Sequence, residues 1–68
     1  MSAEGKFLIY CIEIYKAEKR MTGQDVLNLF KHYDVMDYIM SCYGALHTTG
    51  DTIIIEDIDR FIDIRKTG

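Results

Sequence analysis

The chain has 68 residues, 49% of them hydrophobic and 28% charged, which sets a single domain over residues 1–68 and excludes a disordered segment. Residues 33–63 hold seven acids against Arg60 alone, within a formal net charge of -3, and such an acidic half repels phosphate and disfavours nucleic acid as a partner. The apolar stretch from Phe7 to Ile12 is interrupted by Glu13, precedes no small-residue cleavage site and falls far short of the ~20 residues of a membrane span. The expected location is the cytoplasm, with no membrane association.

The first periodic segment runs from about Lys6 to Arg20. Phe7, Cys11, Ile14 and Ala17 recur at steps of three or four, as do Leu8, Ile12 and Tyr15, which predicts a helix covered on more than one side. Lys16, Lys19 and Arg20 complement the dipole of its last turn. Met21-Thr22-Gly23 breaks the pattern, with Thr22 as the expected N-cap of a second helix carrying Val26, Leu27, Leu29, Phe30 and Tyr33. Asp34 is expected to cap a third helix holding Val35, Tyr38, Ile39, Cys42 and Tyr43, with almost no linker before it.

His47-Thr48-Thr49-Gly50-Asp51 reads as the main non-helical segment. Thr52-Ile53-Ile54-Ile55 is a β-branched run and predicts one short strand, which needs a ladder partner from the other end of the chain or from a second copy. Glu56 or Asp57 would then cap a final helix with Ile58, Phe61, Ile62 and Arg65 on one face. The expected fold is thus mainly all-α: a small four-helix orthogonal array with one short extended segment before the last helix.

Catalytic and metal chemistry find little footing. Cys11 and Cys42 sit among apolar residues and make no disulfide framework, so core packing is the favoured reading for both. His32 and His47 are separated by a helix, and Glu56-Asp57-Ile58-Asp59 lacks the alternating ligands and central glycine of a calcium loop. Cys42 with His47 is the sole pair that suggests a nucleophile and base, and no glycine-rich phosphate loop is present. The expectation is a non-enzyme with no cofactor and no metal. A winged-helix-like DNA-binding regulator is the alternative, although its recognition helix would contain no Lys or Arg. The five tyrosines combine apolar bodies with polar tips, a residue type enriched at protein interfaces.

The run Val26-Leu27-Asn28-Leu29-Phe30-Lys31, then Tyr33, Val35, Asp37-Tyr38-Ile39 and Tyr43, leads into Ala45-Leu46-His47-Thr48-Thr49-Gly50 and closes on Glu56-Asp57-Ile58-Asp59 and Phe61-Ile62. With the opening Phe7-Leu8-Ile9-Tyr10-Cys11-Ile12-Glu13, this pattern resembles the short bacterial proteins of domain-of-unknown-function family three-seven-nine-one. The resemblance implies an accessory protein encoded beside a family with an ADP-ribosyltransferase-like look, as in toxin–antitoxin or immunity pairs. It implies no catalytic residue.

For His47-Thr48-Thr49-Gly50 two readings stand. In one, Gly50 takes a positive φ, the threonines satisfy carbonyls at a helix end and Leu46 packs beneath. In the other, the loop presents a histidine and two hydroxyls to a partner or its nucleotide ligand. The leading expectation is a protein-binding module of antitoxin, immunity or accessory type that uses Tyr38, Tyr43, His47, Thr48, Thr49 and Asp59. A homodimer paired through the Ile53 to Ile55 strand is a further expectation.

Overall fold

The computed structural model describes residues 1–67, so Gly68 of the expected domain lies outside the described residues. Five helices follow one another: α1 (Ala3–Lys19), α2 (Gly23–His32), α3 (Val35–Ser41), α4 (Tyr43–Leu46) and α5 (Asp51–Thr67). The chain is all-helical over these residues. No strand occurs among them.

α1 starts where Ser2, in extended backbone, accepts a hydrogen bond from the Gly5 N–H at 3.0 Å. It ends in a full Schellman arrangement: the Arg20 N–H reaches the Ala17 carbonyl at 3.4 Å and the Met21 N–H reaches Lys16 at 3.0 Å. The turning residue is Arg20, at φ 54°. Glycine is the usual occupant there, because a side chain in left-handed backbone costs about 1–2 kcal/mol. Arg20→Gly is therefore expected to raise stability by about 0.5–1 kcal/mol, the relieved strain less the added chain entropy. A urea titration followed by circular dichroism should show a higher midpoint. A lower one would mean that the arginine side chain contributes more than its backbone strain.

Thr22 caps α2 as its sequence suggests, accepting from the Asp25 N–H at 3.1 Å. Asp34 differs from expectation. It does precede α3, but its φ of 57° departs from the extended backbone that lets a cap side chain reach the first-turn amides, and it makes no side-chain cap bond. The expected third helix also breaks in two at Cys42. The Cys42 carbonyl then opens α4, accepting from Leu46 at 2.8 Å.

The largest correction concerns the segment before the last helix. Thr52-Ile53-Ile54-Ile55 is not a strand but the first turn and a half of α5, and Glu56 and Asp57 lie inside that helix rather than at its cap. Ile54, Ile55, Ile58 and Ile62 are its buried residues, spaced to share one helical face. Burial of that face against the other helices outweighs the modest helix penalty of a β-branched side chain. The homodimer expected through a strand edge loses its basis with the strand.

The core gathers Cys11 and Tyr15 of α1, Val26 and Phe30 of α2, Val35 and Ile39 of α3, and the four isoleucines of α5. α1 packs against α2, α3 and α5, while α3 also meets α2, α4 and α5. Tyr15 sets its ring edge-on to Phe30, with centroids 5.2 Å apart. α4 joins this assembly only through α3 and a few side chains, which leaves the loop after it at the surface.

Candidate functional site

Four of the six residues expected to meet a partner gather at the end of α4. His47 lays its ring on Tyr43, with centroids 4.2 Å apart and planes 11° from parallel. The imidazole Nδ1 is 2.6 Å from the Tyr43 carbonyl oxygen, one helical turn back. Tyr43 in turn meets the edge of Phe7 from α1 at 5.5 Å, and Phe7 stacks beside Tyr10 at 6.5 Å. The result is an aromatic cluster made by the first half of α1 and the α4 corner. His47 is exposed, and Tyr10 is 46% exposed.

The threonines follow the capping reading of the loop. Thr48 donates its hydroxyl to the Ala45 carbonyl at 3.3 Å, and Thr49 donates to Leu46 at 2.7 Å. Both thereby satisfy carbonyls left open at the end of α4. Leu46 is buried beneath them. Gly50 does not take the positive φ expected of it, because no described glycine does. The turn is closed instead by the Thr49 N–H, which donates to the Leu46 carbonyl at 3.0 Å, a geometry open to any residue.

Tyr38 and Asp59 stand apart from this cluster and from each other. Tyr38 stacks on Phe61 at 4.1 Å and donates its hydroxyl to Asp57. Arg65 lies over the other partner of that stack, 4.7 Å from the Phe61 ring centre. Asp59 faces α1, accepting from the Tyr15 hydroxyl at 2.7 Å and the Lys19 ammonium at 2.6 Å. Two residues along a helix correspond to a rotation of about 200°, so Asp57 and Asp59 serve opposite flanks of α5. Beside the aromatic cluster, Asp51 accepts a third tyrosine hydroxyl, that of Tyr10. Three aspartates of α5 thus each receive a tyrosine from α1 or α3.

Phe7 and Tyr10 were not among the residues expected at the site. Their spacing of three along α1 was visible, but nothing local to them points at the α4 corner.

These hydrogen bonds carry a pH signature. The bond to Asp57, then burial and the Asp57 charge, push the Tyr38 hydroxyl up to about 12. Burial and the Asp59 bond raise Tyr15 further still. An unfolded tyrosine ionises near ~10, so above that pH the unfolded chain releases protons that the folded chain retains. Stability is expected to be intact below pH ~10 and to fall from there toward about 12, with tyrosinate absorbance rising at the unfolding transition. Free ionisation of every tyrosine well before unfolding would contradict it. Cys11, fully buried, is likewise pushed up to about 12 by burial and by Asp51, so its thiol is protonated at neutral pH.

Among the described residues no group of three or more His, Cys, Asp or Glu side chains is placed to hold a metal ion, and no helix is long and apolar enough to cross a membrane. Over the described residues, fold and surface together define an all-helical protein of five helices, with an aromatic corner and three tyrosine–aspartate ties. The chain belongs to the family described as Protein of unknown function (DUF3791), which it matches over residues 6–65. No curated protein and no solved structure matches it.

Proposed function

We propose that this chain is a non-enzymatic protein-binding module, of the antitoxin, immunity or accessory kind, that occupies the surface of the product of an adjacent gene. The observation that carries this reading is the aromatic corner of Phe7, Tyr10, Tyr43 and His47, in which an exposed imidazole stacks on a tyrosine ring. Rigid aromatic groups with polar tips are the side chains that most often anchor protein interfaces. The acidic residues of the chain's second half favour a partner with a basic face. Thr48 and Thr49 shape the corner by capping α4, so their part is to present His47 rather than to bind. Tyr38 and Asp59 belong to the ties within the fold, and of the six expected residues Tyr43 and His47 are the two retained as contacts. The resemblance noted above suggests an ADP-ribosyltransferase-like partner.

The test is co-expression with the adjacent gene's product. A complex is expected to survive purification, and His47→Ala is expected to weaken it by tenfold or more, about 1.4 kcal/mol. Because His47 is exposed, that variant should keep the circular dichroism of the parent chain. Absence of a complex, or a complex indifferent to His47→Ala and Tyr43→Ala, would remove this reading. Nothing observed favours the DNA-binding alternative: the segment that would form its wing is helical, and α3 carries no Lys or Arg.

A further inference from the structure

The outer side of α5 bears two isoleucines that the core does not use. Ile53 is 52% exposed and Ile64 is 63% exposed. They lie eleven residues apart, close to three turns of a helix, so both stand on one line along its surface. Arg60, exposed, falls on the same line between them, and Asp57 lies at its edge, three residues before Arg60. The steps of four, three and four from Ile53 through Asp57 and Arg60 to Ile64 are those of a helix-pairing seam. An isolated exposed isoleucine needs no explanation, but two aligned with an acid and a cation between them form a pattern.

We propose that α5 is a self-association surface on which a second copy of this chain docks antiparallel. Register follows from the positions alone. With the two-fold axis between Ile58 and Asp59, Ile53 of each copy faces Ile64 of the other, and Asp57 faces Arg60. The pattern is self-complementary in this direction and in no parallel one, where Arg60 would oppose Arg60. Charge along the helix agrees. Residues 51–58 carry three acids and no cation, while residues 59–67 carry Arg60, Arg65 and Lys66 against Asp59 and Asp63. Antiparallel pairing therefore sets the acidic half of each α5 beside the more basic half of its mate, and it also opposes the helix dipoles favourably. A 17-residue helix is about 25 Å long, and one helix-on-helix contact of that length sits at the small end of specific interfaces. The dimer is accordingly weak and concentration-dependent. No residue of this seam belongs to the aromatic corner, so the dimer stands or falls separately from partner binding.

Two measurements test it on the full chain. Sedimentation over a concentration series should show the mass rising toward two chains, and Arg60→Glu should move that transition to at least tenfold higher concentration without changing helical content. In a Cys42→Ser background, Ile53→Cys and Ile64→Cys chains should form a disulfide-linked dimer when mixed and mildly oxidised, and far less when either is oxidised alone. A chain that stays monomeric at every concentration, an Arg60→Glu variant that dimerises like the parent, or preferential linking of Ile53→Cys to itself would each overturn the proposal.

Discussion

Phe30→Ala is expected to lower stability by about 3–5 kcal/mol and to leave the chain largely unfolded at room temperature. Phe30 is fully buried, and it is the largest side chain in the core with no exposed surface. Its ring meets the edge of Tyr15, so truncation removes transfer energy, opens a cavity and ends an aromatic pair in one step. A chain of 68 residues has in total roughly 3–10 kcal/mol of stability to lose, at about 0.05–0.15 kcal/mol per residue. The loss is therefore comparable to the whole. Circular dichroism during a urea titration should show a broad or absent transition for the variant. Ile9→Ala makes the control, because that side chain is half exposed and its loss should stay within about 0.5 kcal/mol. A cooperative transition for Phe30→Ala near the parent midpoint would mean that neighbouring side chains refill the space.

The second large effect is expected at Asp59. Its carboxylate receives the Tyr15 hydroxyl on one oxygen and Lys19 on the other, which ties α5 to α1. The two halves of this contact differ in worth. Lys19 and Asp59 side chains are each 36% exposed, and an ion pair so open to water contributes about 0–1 kcal/mol. Tyr15 is only 4% exposed, so removing its acceptor leaves a hydroxyl with little access to water. Asp59→Ala is expected to lose about 1–3 kcal/mol, most of it the desolvation left unrequited at Tyr15. Tyr15→Phe should lose less, about 0.5–1.5 kcal/mol, because Asp59 keeps both Lys19 and water. The double variant should be more stable than the sum of the two losses predicts, since the orphaned hydroxyl is gone. Simple additivity would show that water takes the place of the carboxylate.

These ties bear on what a partner could use. A tyrosine held by an aspartate of α5 is rigid, and Tyr38 and Tyr15 are held in that way. Among the described residues Tyr43 has no such tie; its ring meets the edge of Phe7 and is stacked by His47.

Much of the fold was legible in the chain without its structure. The apolar steps from Phe7 to Ala17 placed α1, and Thr22 declared the start of α2, because helix periodicity and capping involve residues within a turn or two of one another. The threonines' capping role and the burial of Leu46 were visible for the same reason. Likewise the sequence pattern alone was enough to indicate the family, since residues 6–65 carry it. The strand expected at Thr52 to Ile55 failed where local preference and tertiary burial disagree. Four β-branched residues in a row favour extended backbone, and only the wider window through Ile58 and Ile62 shows the helical face that the core requires. The left-handed turns at Arg20 and Asp34 were also missed: Arg gives no signal of a positive φ, and Asp, which tolerates one, reads equally well as an N-cap.

The site divided along the same line. The stacking of His47 on Tyr43 joins residues four apart, one helical turn, and so lay within reach of the sequence. That Phe7 and Tyr10 complete the corner, while Tyr38 and Asp59 are drawn to opposite flanks of α5, was decided by how α1, α3 and α5 pack. Sequence by itself determined α1, α2 with its Thr22 cap, and the family, because those depend on neighbours along the chain. Tertiary structure alone decided which side chains share a surface, because a helix turns about 100° per residue and only its packing partners say which direction is out.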